Sequence, residues 1–270
     1  MTLDVSSRIV GVPDQDLAAA VAQPGGVARL ADRIARSGAV AVVIGADRFD
    51  PGRGRGHRVD PTSAALALGR ALPELGLIVA TAPTREHPYN VARRVLSLDH
   101  VLDGRVGLLV GTRDHGAPTA ARTHDAAEFA EVVRGLWRTW PLDSIVGDRD
   151  AGLFVHAERI RPLDHDGGPE GYRVRGPLTT PSSRQGEPVL AVWHDVPAAD
   201  ADLVLGGDDH PLATLAPAPA RSDTEATDAV DVARPGAASD PRGPHRASRP
   251  TLRDLLDLPV RAAAATGMPA

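Results

Sequence analysis

The groups able to do chemistry fall at a few places in the chain. Asp47 follows the apolar run Val40 to Ile44, at what reads as the C-terminal end of a buried strand, and Thr112 closes a second such run, Val106 to Val110. Residues at the C-terminal ends of barrel strands are the ones that reach a ligand, so both are site candidates. Asp99 and His100 adjoin in LSLDHVLDGR. Further acid–histidine groups stand at Asp164-His165-Asp166, His194-Asp195 and Asp208-Asp209-His210. None has a partner cluster at metal-ligand spacing, so no metal site is assigned; Asp and Gly at 164–168 are turn formers. His100 lies inside a helical stretch, where a structural role in tying down the helix end is the better reading. Arg93 and Arg94 read as exterior ion-pair partners, and the Arg-Gly run 52–56 as a mobile loop.

Several chemistries are excluded. The chain has no cysteine, and all 30 basic residues are arginine. Thiolate nucleophiles, disulfides, lysine Schiff bases and a P-loop lysine are therefore impossible. No nucleophile elbow is present. No G-x-G-x-x-G follows a strand, which argues against a dinucleotide fold.

The elements that must hold these residues alternate. Gly26 to Ser37 has a helical stripe of Val27, Leu30, Ala31 and Ile34, and Gly38 ends it. Asp60-Pro61 is an N-cap followed by a first-turn proline, opening a helix through Ala64, Leu68 and Leu72. GLIVAT (76–81) is a strand, and 90–102 is a helix stopped by Asp103-Gly104. Asp125 with Glu128 has the spacing of a capping box, opening a helix whose apolar face is Phe129, Val132, Val133, Leu136 and Trp140. Residues 188–193 and 201–205 are further strands, and one near 8–12 precedes them all. Uninterrupted apolar strands separated by helices predict a parallel sheet covered on both faces. The fold class is α/β, a (β/α) barrel.

Composition sets the limits. Thirty basic against 35 acidic residues give a net charge of −5, without the basic field on which general nucleic-acid binding depends. No apolar run reaches membrane-span length, and the N-terminus lacks a signal-peptide pattern, so a cytoplasmic location is expected. Residues 141–187, rich in Gly, Pro, Asp and Arg, break the rhythm as an insertion with a hairpin. Residues 206–249 carry few apolar side chains and are expected to be a disordered linker. The expected organisation is a barrel domain over 1–205, the linker, and a short helix and tail over 250–270.

Several long segments, in order, resemble the bacterial luciferase-like flavin-dependent monooxygenases, specifically the nitrilotriacetate and dibenzothiophene-sulfone branch. They are VVIGADRF (42–49), HPYNVARRVLSLDHVLDGRVG (87–107), AAEFAEVVRGLWRTW (126–140) and IRPLDHDGGPEGYRVRGPLTTPSSRQGEPVL (160–190). TLRDLLDLP (251–259) is similar to the family's C-terminal end. The resemblance implies a TIM-like barrel that uses reduced FMN, supplied by a flavin reductase, and O2 to oxygenate a small organic substrate. It places Asp47, Thr84 and Thr112 at the flavin. It leaves the catalytic residues unassigned. Leu108-Leu109 stand where the family has Trp-Asn, and Thr119 and Thr123 where it has His and Tyr. The phosphate-binding turn expected after the fifth strand is absent from VLAVWHDVPAADADLVLGG (189–207). The seventh and eighth strands have no counterpart, leaving about six barrel strands with two open edges and so an expected homo- or heterodimer. Two functions follow: a two-component FMN-dependent monooxygenase, or a non-catalytic homologue or subunit partner that has lost flavin binding.

Overall fold

The computed structural model describes residues 8–49, 58–114, 119–207, 212–216 and 249–261. Its centre is a seven-stranded, wholly parallel sheet. The strands are β1 (Ile9–Val12), β2 (Ala41–Ile44), β3 (Gly76–Thr81), β4 (Val106–Val110), β9 (Val189–Trp193), β10 (Leu203–Leu205) and β11 (Ala213–Thr214), in the spatial order β10-β9-β4-β3-β2-β1-β11. Five helices fill the early crossovers: α1 (Asp14–Ala22), α2 (Gly26–Arg36), α3 (Pro61–Ala71), α4 (Pro88–Val101) and α5 (Thr123–Trp137). Between β4 and β9 the insertion forms two small antiparallel hairpins, β5 (Ile145–Asp148) with β6 (Leu153–Val155) and β7 (His165–Asp166) with β8 (Arg173–Val174).

Each strand buries alternate residues on opposite faces. Val10, Val42, Ile44, Leu77, Val79, Leu108 and Val192 join the helix stripes in one core. Ile9, Ala41, Val43, Ile78, Ala80, Leu109, Ala191 and Trp193 line the other face. The second face is closed at its N-terminal end by α6 (Leu252–Leu255), whose Leu252 and Leu256 are fully buried there. Gly76 and Gly107 make the room. A Cβ on Gly76 would run into the Leu252 side chain, and one on Gly107 would lie 2.8 Å from the Val189 carbonyl oxygen and 2.9 Å from Leu252 Cδ2. Thr251 and Asp254 cap α6 reciprocally.

Ions fasten this plug. The fully buried Arg253 donates to both oxygens of Asp202 at 3.0–3.1 Å and to the Glu187 carbonyl at 3.0 Å. Asp202 also takes Arg134 of α5, and Arg261 lies 2.9 Å away.

Some expectations shift. Asp60 and Pro61 cap α3 as anticipated, with the Asp60 carboxylate accepting from the Ser63 amide at 2.8 Å. The Asp125–Glu128 capping box does not form. α5 starts at Thr123 with Arg122 as N-cap; Asp125 pairs with Arg122, and Glu128 turns to His165 and the Tyr172 amide. The helix ends at Trp137, which fills the core and donates to the Ala92 carbonyl at 3.0 Å, while Trp140 lies beyond the helix end. The seventh strand, β11, lies inside the segment read as linker. It pairs with β1 through Val10–Ala213 and Gly11–Thr214, and Leu215 is buried behind it. Most of 206–249, the Arg-Gly run 52–56 and the tail beyond Arg261 lie outside the described residues.

Candidate functional site

The three residues picked from sequence all stand at the C-terminal end of the sheet, each after a different strand. Asp47 opens a single 3-10 turn directly after β2. Its carboxylate takes Arg58 at 2.7 Å, and the same guanidinium nitrogen reaches Asp14 at 2.6 Å. Thr84 is exposed, and its hydroxyl donates to the Thr119 carbonyl at 2.9 Å, pinning one loop to another. Thr112 is half-buried, and its carbonyl accepts from the Ala121 amide at 2.7 Å.

The centre of this end is a group that sequence reasoning did not single out. Asp114, four residues past β4, is fully buried. One carboxylate oxygen accepts the Trp193 indole N–H at 2.6 Å; the other accepts the Asp47 backbone amide at 3.2 Å. Burial raises the Asp114 pKa to about 7, overcoming the two hydrogen bonds and the Arg48 charge that favour its ionised form; the Asp47 charge adds to the rise. The Arg48 guanidinium lies 4.4 Å from the Trp193 ring centroid and pairs with Asp195 at 2.8 Å. The Phe49 ring tilts against the indole at 6.1 Å. Phe49 lies over Gly11, where a Cβ would run into its ring.

The concave face is thus filled by the chain itself at both ends. Trp193, Leu205, Ala46, Ala80 and Leu109 are each at most 1% exposed, and Phe49 is 7% exposed. Leu108 and Leu109 divide between the two faces, Leu108 toward the helices and Leu109 toward the concave core.

The hallmark helix carries structural groups. Asp99 is fully buried, and one oxygen accepts from the Val106 amide at 2.8 Å and the Gln185 side chain at 2.9 Å, tying α4 to β4 and to the end of the insertion. Burial raises its pKa. His100 hydrogen-bonds the Pro181 carbonyl at 2.9 Å, and Arg94 pairs with Glu86. His165 hydrogen-bonds Glu128 at 2.9 Å. Among the described residues no group of three or more His, Asp or Glu side chains is placed to hold a metal ion, and no helix is long and apolar enough to cross a membrane.

With this geometry in place, the kinship of the chain is clear. The family model for luciferase-like monooxygenases matches residues 5–194. The chain belongs to that family. It is 38% identical over 148 residues to one of the subunits of pristinamycin IIA synthase from Streptomyces pristinaespiralis, covering 55% of this chain and 51% of that one. It is 35% identical over 159 residues to the dibenzothiophene-sulfone monooxygenase of Rhodococcus erythropolis, covering 53% and 35%. The crystal structure of long-chain alkane monooxygenase superposes with a TM-score of 0.54 at 18% identity, over 68% of this chain and 51% of that one. That likeness establishes the fold, a TIM-like barrel of which this chain forms an incomplete version. The chain matches about half or less of the length of these relatives.

Proposed function

We propose that the chain is one member of a luciferase-like monooxygenase assembly and does not itself hold the flavin. One observation carries this reading. Where a barrel of this family would seat FMN, at the C-terminal mouth, Trp193 and Phe49 pack against each other, and the described residues Ala46, Ala80, Leu109 and Leu205 are buried with them. The described mouth residues therefore do not fit the group. The Asp47 carboxylate accepts from Arg58, the Thr84 hydroxyl donates to the Thr119 carbonyl, and the Thr112 backbone carbonyl accepts from the Ala121 amide. On this reading they shape loops rather than touch a cofactor, and no step of oxygenation is assigned to this chain's residues. A flavin-bearing partner chain, with its reductase, O2 and a small organic substrate, supplies the chemistry. The Streptomyces relative is itself named as a subunit of a synthase, which is in keeping with such a division.

The competing reading, a self-sufficient FMN-dependent monooxygenase, draws on family membership. Titration of the purified full chain with oxidised and reduced FMN separates the two. The subunit reading expects no saturable change in flavin fluorescence up to millimolar concentration. Saturation in the micromolar range overturns it, and oxygen-dependent turnover would then establish the competing reading.

A further inference from the structure

Among the described residues, α5 is the last helix packed on the outer side of the sheet. α4 packs along one flank. On the other flank the crossover from β9 to β10 would ordinarily bring a helix, but residues 194–202 connect the two strands without one. A groove of about 770 Å³ remains. Its floor is a single stripe of α5 that includes His124, Ala127, Glu131 and Arg138; positions three or four apart share a helix face. Its walls are the segment bearing Leu163 and His165 and the loop Pro197 to Ala201. The stripe from His124 to Arg138 is roughly 21 Å long at 1.5 Å per residue, so the groove has the length of a short helix.

Charge selects the occupant. Arg134 and Arg138 are already neutralised by Glu187, Asp200 and Asp202. Glu128 accepts from His165 and the Tyr172 amide. Glu131, midway along the stripe, is exposed, and no ion pair or hydrogen bond engages it among the described residues. The groove therefore presents an apolar bed with one unmatched negative charge at its middle. The α5 of a second copy is itself the floor of such a groove, so two copies do not pair α5 to α5 here.

We infer that this groove seats a helix of a second, different subunit, one that brings small apolar side chains against Ala127, Leu163 and Ala198 and a basic residue against Glu131. The inference rests on the subunit reading and names the surface through which that assembly forms. It is tested on the full isotope-labelled chain with two amidated alanine–leucine helical peptides of about 16 residues, one with a central Arg and one with a central Glu, followed by amide chemical shifts. The Arg peptide should shift α5 residues saturably and bind about fivefold more tightly than the Glu peptide, the worth of one exposed ion pair. Glu131→Arg should reverse that order. Equal affinities, or shifts away from α5, overturn the inference. So does binding that appears only when the chain is cut after Arg261, which would make its own tail the occupant. A homodimer dissociated by Glu131→Arg would assign the groove to a second copy and likewise overturn it. The flavin titration does not involve this surface. Failure of the peptides therefore leaves the subunit reading standing, and micromolar FMN binding removes that reading whatever the peptides do.

Discussion

Asp114 keeps its proton to about pH 7 because its burial outweighs the two hydrogen bonds that favour the carboxylate. Unfolded, it would ionise near its ordinary value of 3.8. Between those two values the folded chain binds a proton that the unfolded chain has released. The contribution of Asp114 to stability therefore falls as pH rises from about 4 to 7 and is flat above. Thermal melts across that window should show this decline, and Asp114→Asn should remove it. The Trp193 indole reports the same event, so tryptophan fluorescence should titrate with a midpoint near 7 in the native chain and not in the Asn variant. Sequence reading placed Asp47 at a strand end, because that end is visible as the end of an apolar run. It missed Asp114, which follows a short loop with no periodicity and whose partner Trp193 is far along the chain. The Asp125–Glu128 spacing misled for a related reason: Arg122 and the His165 hairpin compete for the same carboxylates, and spacing alone cannot show competitors.

At the scale of elements, α6 and the sheet are fitted to each other. Gly76→Ala should destabilise the fold by about 1–3 kcal/mol through overpacking, measured by urea unfolding. In a Leu252→Ala background the same change should cost much less, since the clashing side chain is gone. A cycle showing additivity would mean that α6 does not press on β3. The buried ionic clasp should matter more. Asp202→Ala leaves Arg253 and Arg134, at 0% and 2% side-chain exposure, short of their shared carboxylate. Losing one partner of a buried pair costs about 3–5 kcal/mol. The sheet strands β1 to β4, β9 and β10 and helices α2 to α5 were legible because their apolar runs and stripes are long. α1 was not: it is alanine-rich with a weakly sided pattern. The clasp was not legible either, because it joins residues from three distant segments.

Among the described residues, the main sheet has seven strands, with β10 and β11 as its end strands and α1 to α5 along its outer face. The barrel class could be read from the alternation of elements, and the family from several ordered segments. Its extent could not. β11 is two residues long and exposed, so nothing in its composition marks it as a strand; it is held by pairing to β1 and by Leu215 behind it. Leu215→Asp should release this edge and be seen as faster amide exchange at Gly11 and Leu215, with exchange in β3 and β4 unchanged. Equal acceleration throughout would mean that the strand is integral to global stability rather than an edge addition.

The plug at the base of the sheet also has a consequence in time. Synthesis runs from β1 outward, and six of the seven described strands of the sheet are complete by Leu205. The residues that cover its lower end, Leu252 and Leu256, come some fifty positions later, and Arg253, which fastens them, comes with them. At an elongation rate of about 5–20 residues per second, the emerging chain carries an uncovered apolar trough for seconds. A chain stopped before Thr251 should therefore bind a hydrophobic dye and aggregate, while the full chain does neither. Through that interval the polar stretch between trough and plug works as a delay line, its length setting how long the apolar trough stays open.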